Sequence, residues 1–247
     1  MKYNYQLLIE YEGTKYVGWQ FQKNGLSVQE AIEKTIKKLI KKKITLLGSG
    51  RTDAGVHALE QSANFKTNYK IIDKISFIKS LNFFLFKKGI SILDLKKRNI
   101  LFHSRYSAKK RSYKYLIINR EIPSVLRKKR LWHVRKKLDI SLMKKGAIEL
   151  KKIKDFSTFR ASSCSAKSPL KTLEKATIVK RKDLIEICFV SESFLQNQVR
   201  SMVGCLKYLA EKKWTLKKFK EVIAAKKRSK CAPPAPAHGL YLFKIRY

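Results

Sequence analysis

The chain has 247 residues, 57 Lys plus Arg against 18 Asp plus Glu, and a formal net charge of +39. A hydrophobic share of 44% and an aromatic share of 11% exclude a disordered basic tail, and the length suits one large domain or two small ones. The charge points to a polyanionic partner, nucleic acid before anionic membrane, and places a metabolic enzyme a distant third. Of the basic residues 44 are Lys and 13 Arg. Much of the Lys reads as solvated surface. Arg, suited to bidentate contacts with phosphate or carboxylate, is the more informative type.

In chain order, Tyr3 to Tyr11 is β-branched and aromatic enough for a strand. Ser27-Val28-Gln29-Glu30 forms a capping box, and Val28, Ala31, Ile32, Ile36, Leu39 and Ile40 then recur at helical spacing. A short strand over 44–47 leads into the loop Gly48-Ser49-Gly50-Arg51-Thr52-Asp53-Ala54-Gly55. A strand over 61–66, a helix over 71–86 and a strand over 90–95 complete a β-α-β-β-α-β series, the split-βαβ order. The second half repeats that order without repeating the sequence. It has a strand over 113–118, a helix over 142–152, a hairpin from 172–179 to 184–190, a long helix over 194–211, a short one over 216–225 and a last strand over 240–245. The fold class expected is α+β, with two domains, 1–104 and 105–247.

No charged segment followed by an apolar run opens the chain, and no stretch approaches about 18 apolar residues. Cys164, Cys188, Cys205 and Cys231 are widely spaced without a CxxC pair. His57, His103, His133 and His238 show no HxxxH or HExxH spacing. Neither a disulfide framework nor a metal site is expected, and the compartment expected is the cytoplasm, with reduced thiols.

Asp53 differs from the five other aspartates because it sits in a glycine-bounded loop two residues from Arg51. The loop is neither a P-loop nor a dinucleotide fingerprint. One reading is an Asx-turn, with Asp53 bonded to its own backbone. The other is chemical: a carboxylate near a guanidinium stays ionised and can act as a nucleophile. Arg111-Ser112-Tyr113-Lys114-Tyr115 sets aromatics among cations, which suits base stacking with phosphate contacts, or ordinary strand packing. Arg200 lies beside the apolar stripe of the long helix, as support for the carboxylate, as half of a surface ion pair or as a stem lying along the core.

These segments resemble the TruA-type tRNA pseudouridine synthases. Gly50 to Ala58 resembles the catalytic loop of that family, and Phe102 to Ala108 with Arg111 to Tyr115 its central segment. Asp155 to Ala161 resembles a DFxxFRA segment, Phe194 to Gly204 the FLxxxVRxxVG helix, and Ala232 to Leu240 the closing APxxGL segment. Five matches in order span nearly the whole chain.

The resemblance implies isomerisation of uridine to pseudouridine in the anticodon stem-loop of tRNA, around positions 38–40, on a nucleotide turned out of the helix. It implies no cofactor and no metal, tRNA as partner, no membrane, and a homodimer. It also implies two RRM-like or ferredoxin-like halves joined through a central mixed sheet, with the active site in the cleft. By position in the motifs, Asp53 is the essential carboxylate, whether it attacks sugar or base or acts through a glycal route. Tyr113 matches the tyrosine that stacks on the target base, Arg200 the arginine that pairs with the carboxylate, and Arg51 the arginine that holds open the flipped-out nucleotide. Leu116 lines the pocket in this reading, and Arg105 and Arg160 bind substrate. Two features depart from the pattern. His238 stands where a small or acidic residue is more usual, and the basic run Arg127 to Lys137 has no counterpart.

Overall fold

Residues 2–247 are described by a computed structural model. The chain separates into two units, one running to Lys109 and resuming over Tyr241–Tyr247, the other Lys110–Leu240. The first contains β1 (Tyr3–Tyr11), α1 (Val28–Ile40), β2 (Leu47–Gly48), β3 (His57–Thr67), α2 (Lys74–Leu85) and β4 (Ile90–Arg98). The second contains β5 (Lys110–Asn119), β6 (Trp132–Val134), α3 (Ile140–Lys152), β7 (Leu173–Arg181), β8 (Leu184–Ser191), α4 (Gln198–Ala210) and α5 (Leu216–Ala224). A last strand, β9 (Leu240–Arg246), follows. The architecture is mixed α+β.

In the first unit β1 is central, antiparallel to both β3 and β4. Its Leu7 and Ile9 are fully buried. Helix α1 begins at Val28, as the capping box requires: Ser27 Oγ accepts from the Glu30 amide at 3.1 Å. Its apolar stripe of Val28, Ala31, Ile32, Ile36 and Ile40 is buried. Asp73 caps α2 in the same way, so that helix starts at Lys74, three residues later than the apolar pattern suggests.

The division after residue 104 leaves the last strand in the second half, but Tyr241–Tyr247 belongs to the first unit. Tyr241 and Leu242 pair in parallel with His57 and Ala58. The Tyr247 hydroxyl donates to Ser62 Oγ at 2.7 Å and also bonds to the Ser104 carbonyl.

In the second unit β8 lies between β5 and β7, antiparallel to each. The hairpin from β7 to β8 turns through Lys182 at φ 52. Opposed pairs Tyr113–Phe189, Tyr115–Ile187 and Ile117–Ile185 form one buried face. The short β6 runs parallel to β5 and has too few residues for a strand pattern to show in the sequence. The expected helix over 194–211 is shorter, and Phe194–Asn197 forms an entry turn. Asn197 has φ 61, a left-handed conformation that an α-helix interior does not admit. The Gln198 side chain accepts from the Leu195 amide at 2.8 Å and closes that turn.

Candidate functional site

The Asp53 loop is tied down on several sides within the first unit. Thr52, buried, shares a 2.7 Å hydroxyl hydrogen bond with Tyr11, and its carbonyl accepts from the Trp19 amide at 3.0 Å. Gly18 forms a β-bridge to Asp53. It sits at φ +119, where an added Cβ would lie 2.7 Å from the Thr52 carbonyl oxygen, so the two backbones approach only because Gly18 has no side chain. Ser49 and Gln61 hold the start of the loop: Ser49 Oγ donates to Gln61 Oε1 at 2.7 Å, and Gln61 Nε2 donates to the Gly50 carbonyl at 2.8 Å. Asp53 is half-buried at the top of this frame and Arg51 is exposed beside it. His57, within the same motif, has a structural task. It is buried, its Nδ1 accepts from the Gly13 amide at 3.1 Å, and its ring stacks on Tyr241 at 4.8 Å.

The segment carrying Arg105 is fixed by two buried asparagines that the sequence did not single out. Asn4 Nδ2 donates to the carbonyls of Asn99 and Phe102, each at 2.9 Å. Asn64 Nδ2 donates to Asn4 Oδ1, and Asn64 Oδ1 accepts from the Ser104 amide at 2.8 Å. Buried amides satisfied in this way specify one position for a loop. Arg105 follows at the surface, with its guanidinium 5.6 Å from the Tyr106 ring centroid.

In the second unit Tyr113 stands near the start of β5, largely buried and edge-on to Phe194 at 5.1 Å. Tyr115, two residues on, points to the same face. It donates its hydroxyl to the Pro236 carbonyl at 2.7 Å, and burial pushes that phenol well above its usual range. Gly239 makes this possible, since a Cβ there would lie 2.6 Å from the Tyr115 ring. Leu116 is three residues from Tyr113 and so projects from the opposite face of β5, the face of Lys114 and its ion-pair partner Glu186. The structure does not bring Leu116 beside Tyr113.

Arg200 is clamped. Its Nε donates to the Ala235 carbonyl at 2.7 Å, a second nitrogen donates to Asn197 Oδ1 at 3.0 Å, and the Ala235 amide donates back to the Arg200 carbonyl. Asn197 and Ala235 therefore fix the Arg200 guanidinium, and neither stands out in the sequence; Ala235 lies 35 positions from Arg200, a separation that no local spacing records. Arg160 donates to the carbonyls of Cys164 and Ala166, both at 2.7 Å, and so shapes the loop that follows it. His238 is held below its usual pKa by burial, with a hydrogen bond to Leu131 opposing and Lys129 and Arg200 adding repulsion. The basic run thus begins close to the segment that seats Arg200. Among the described residues, no three His, Cys, Asp or Glu side chains group to hold a metal ion, and no helix is long and apolar enough to cross a membrane.

The first unit presents Asp53 on a loop fastened at Thr52 and Gly18, and the second holds the Arg200 guanidinium near the strand-borne Tyr115. The sequence profile of the tRNA pseudouridine synthases matches residues 7–107 and 153–247. A protein named tRNA pseudouridine synthase A from Pelagibacter ubique (strain HTCC1062) is 58% identical over 245 residues, 99% of this chain and 100% of that protein. Proteins of the same name from Thermoanaerobacter sp. (strain X514) and Parvibaculum lavamentivorans (strain DS-1 / DSM 13023 / NCIMB 13966) are 42% and 41% identical, over 99% and 98% of this chain and of their own lengths. The chain belongs to the tRNA pseudouridine synthase family. The profile match omits residues 108–152, which include Tyr113, Leu116 and the basic run.

Proposed function

We propose that this chain isomerises uridine to pseudouridine in the anticodon stem-loop of tRNA, around positions 38–40, on a flipped-out nucleotide. Family membership supports the reaction, and the observation that carries the assignment of residues is the rigid Asp53 loop, built from Tyr11, Gly18 and Trp19. The reaction breaks the bond from C1′ to N1, turns the base and joins C1′ to C5. N1 gains a proton and C5 loses one, so no electrons enter or leave. In this reading Asp53 is the carboxylate that engages the reacting nucleotide, and Arg200 is its charge partner. Tyr113 supplies the surface on which the target base stacks. Arg51 fills the gap left by the extruded base, which costs a few kcal/mol of lost stacking. Arg105 and Arg160 contact the RNA. The functional assembly is a homodimer in the cytoplasm, with two RRM-like or ferredoxin-like halves; for the first half, β1 between β3 and β4 with β2 on the far side of β3 supports that reading.

Replacing Asp53 by Asn keeps size and polarity and removes the charge. The variant is expected to bind tRNA within about twofold of the wild type and to form no pseudouridine, a loss of at least about 10³-fold for a nucleophile. Carbodiimide-primed reverse-transcription stops read the product, and persistent stops in the variant would overturn the assignment of Asp53.

A further inference from the structure

Two of the four cysteines meet although 26 positions separate them. Cys205 lies on the buried side of α4, and Cys231 follows the single turn Arg228–Lys230; their sulfurs are 3.3 Å apart. Cys205 is fully buried, whereas Cys231 is partly open to solvent. The two thiols are not equivalent. A hydrogen bond from Cys205 holds the Cys231 thiol below its usual range, with burial opposing and the Arg228 guanidinium assisting. That same bond, together with burial, pushes Cys205 up. The accessible sulfur therefore carries the thiolate character that attack on an oxidant needs, and the buried one is placed to resolve it.

We propose that Cys205 and Cys231 form a redox-modification site that closes to an intramolecular disulfide when the protein meets a low-molecular-weight disulfide. The Cys231 thiolate attacks one sulfur of the small disulfide, releases one small thiolate and forms a mixed disulfide. Cys205 then attacks the Cys231 sulfur and expels the second small thiolate, which takes up the Cys205 proton. Two protein thiols are oxidised by two electrons, and one small disulfide is reduced to two thiols.

The closure reaches the Arg200 clamp. A disulfide bond is about 2.05 Å long, so the sulfurs approach by roughly 1.2 Å. Cys231 opens the segment Ala232–Ala235, whose last residue accepts from Arg200 Nε. That segment has no slack against α4, because a Cβ on Gly204, the neighbour of Cys205, would lie 2.1 Å from the Pro233 carbonyl oxygen. Pulling Cys231 toward α4 displaces the Ala235 carbonyl relative to Arg200. This consequence rests on the reading of Arg200 as the partner of the catalytic carboxylate; formation of the disulfide does not.

The test exposes the full-length protein to oxidised glutathione. Non-reducing peptide mapping is expected to join the peptides of Cys205 and Cys231, about 2 Da lighter than the two thiol peptides together. The thermal midpoint rises by about 5 °C, because the cross-link closes a long loop in the unfolded chain. Pseudouridine formation falls about tenfold, less than the ~10²-fold that a full 1 Å misplacement can cost, because Arg200 moves less than the sulfurs do, and dithiothreitol restores it. Cys231→Ser shows none of these changes, and Cys205→Ala stops at the mixed disulfide. Absence of the joined peptides after oxidation overturns the site, and full turnover by the cross-linked protein overturns its control of Arg200. An inactive reduced protein counts instead against the proposed function, while the mass and thermal readings stand independently of it.

Discussion

Arg200 shows how a single side chain is held in one orientation by its neighbours. Asn197 does two things at once: it takes the left-handed conformation at the start of α4, and its Oδ1 accepts from the guanidinium. The two roles separate by substitution. Asn197→Gly keeps the backbone conformation and loses only the acceptor, so the thermal midpoint is expected to stay within about 2 °C while the rate constant for conversion falls about tenfold with KM unchanged. Asn197→Ala adds about 1 kcal/mol of left-handed strain and is expected to melt lower as well. A fall in stability with Asn197→Gly but no change in rate would show that the clamp does not aim Arg200. At this scale the Asp53 loop stands out in the sequence, because aspartate is scarce in the chain and this one is bounded by glycines. Asn4 and Asn64 were not, because a buried amide in a strand looks like ordinary alternation. Their partners are backbone groups 38 to 98 positions away, which no local pattern records.

Elements were legible where a local signal both starts and sustains them. Helix α1 begins where Ser27 places its cap and continues where the apolar stripe runs. Helix α4 starts four residues later than its apolar spacing predicts, because that spacing continues back to Phe194 while the left-handed Asn197 breaks the helix. The last strand was legible as a strand but not as a member of the first unit, since pairing with His57 and Ala58 is a fact of tertiary structure. The junction of α4 with the segment Ala232–Ala235 was also invisible, though it is among the tightest in the second unit. Gly204→Ala would set a methyl group 2.1 Å from a backbone oxygen, and neither partner is a flexible side-chain end. The helix or the segment must move, at a cost of about 1–3 kcal/mol. A fall of about 5 °C in the thermal midpoint is expected, together with reduced conversion, since the same segment carries the Ala235 carbonyl. An unchanged midpoint by calorimetry would mean that the segment yields freely and is no rigid support for Arg200.

For the whole molecule, the net charge of +39 is far more than recognition of one stem-loop requires. The acidic residues cannot balance it, and ion pairs exposed on both sides, such as Lys218–Glu221 and Arg120–Asp183, contribute little to stability. Only the cations that meet phosphate act on binding. Each phosphate neutralised releases condensed counterion, and the logarithm of affinity then falls with the logarithm of salt by about 0.7 to 0.9 per contact. If the surplus Lys is only solvated surface, a docked tRNA meets a handful of cations, about five, and the slope lies near −4. If the Lys residues act together as one polycationic face, the slope exceeds about −10 and sequence-unrelated RNA binds nearly as well as tRNA. The first outcome is expected, with binding of unrelated RNA weakening steeply between low and physiological salt. Filter binding of tRNA and of a random RNA across a salt series separates the two. A slope shallower than about −1 would contradict both, because it would mean that phosphate contacts do not drive association at all.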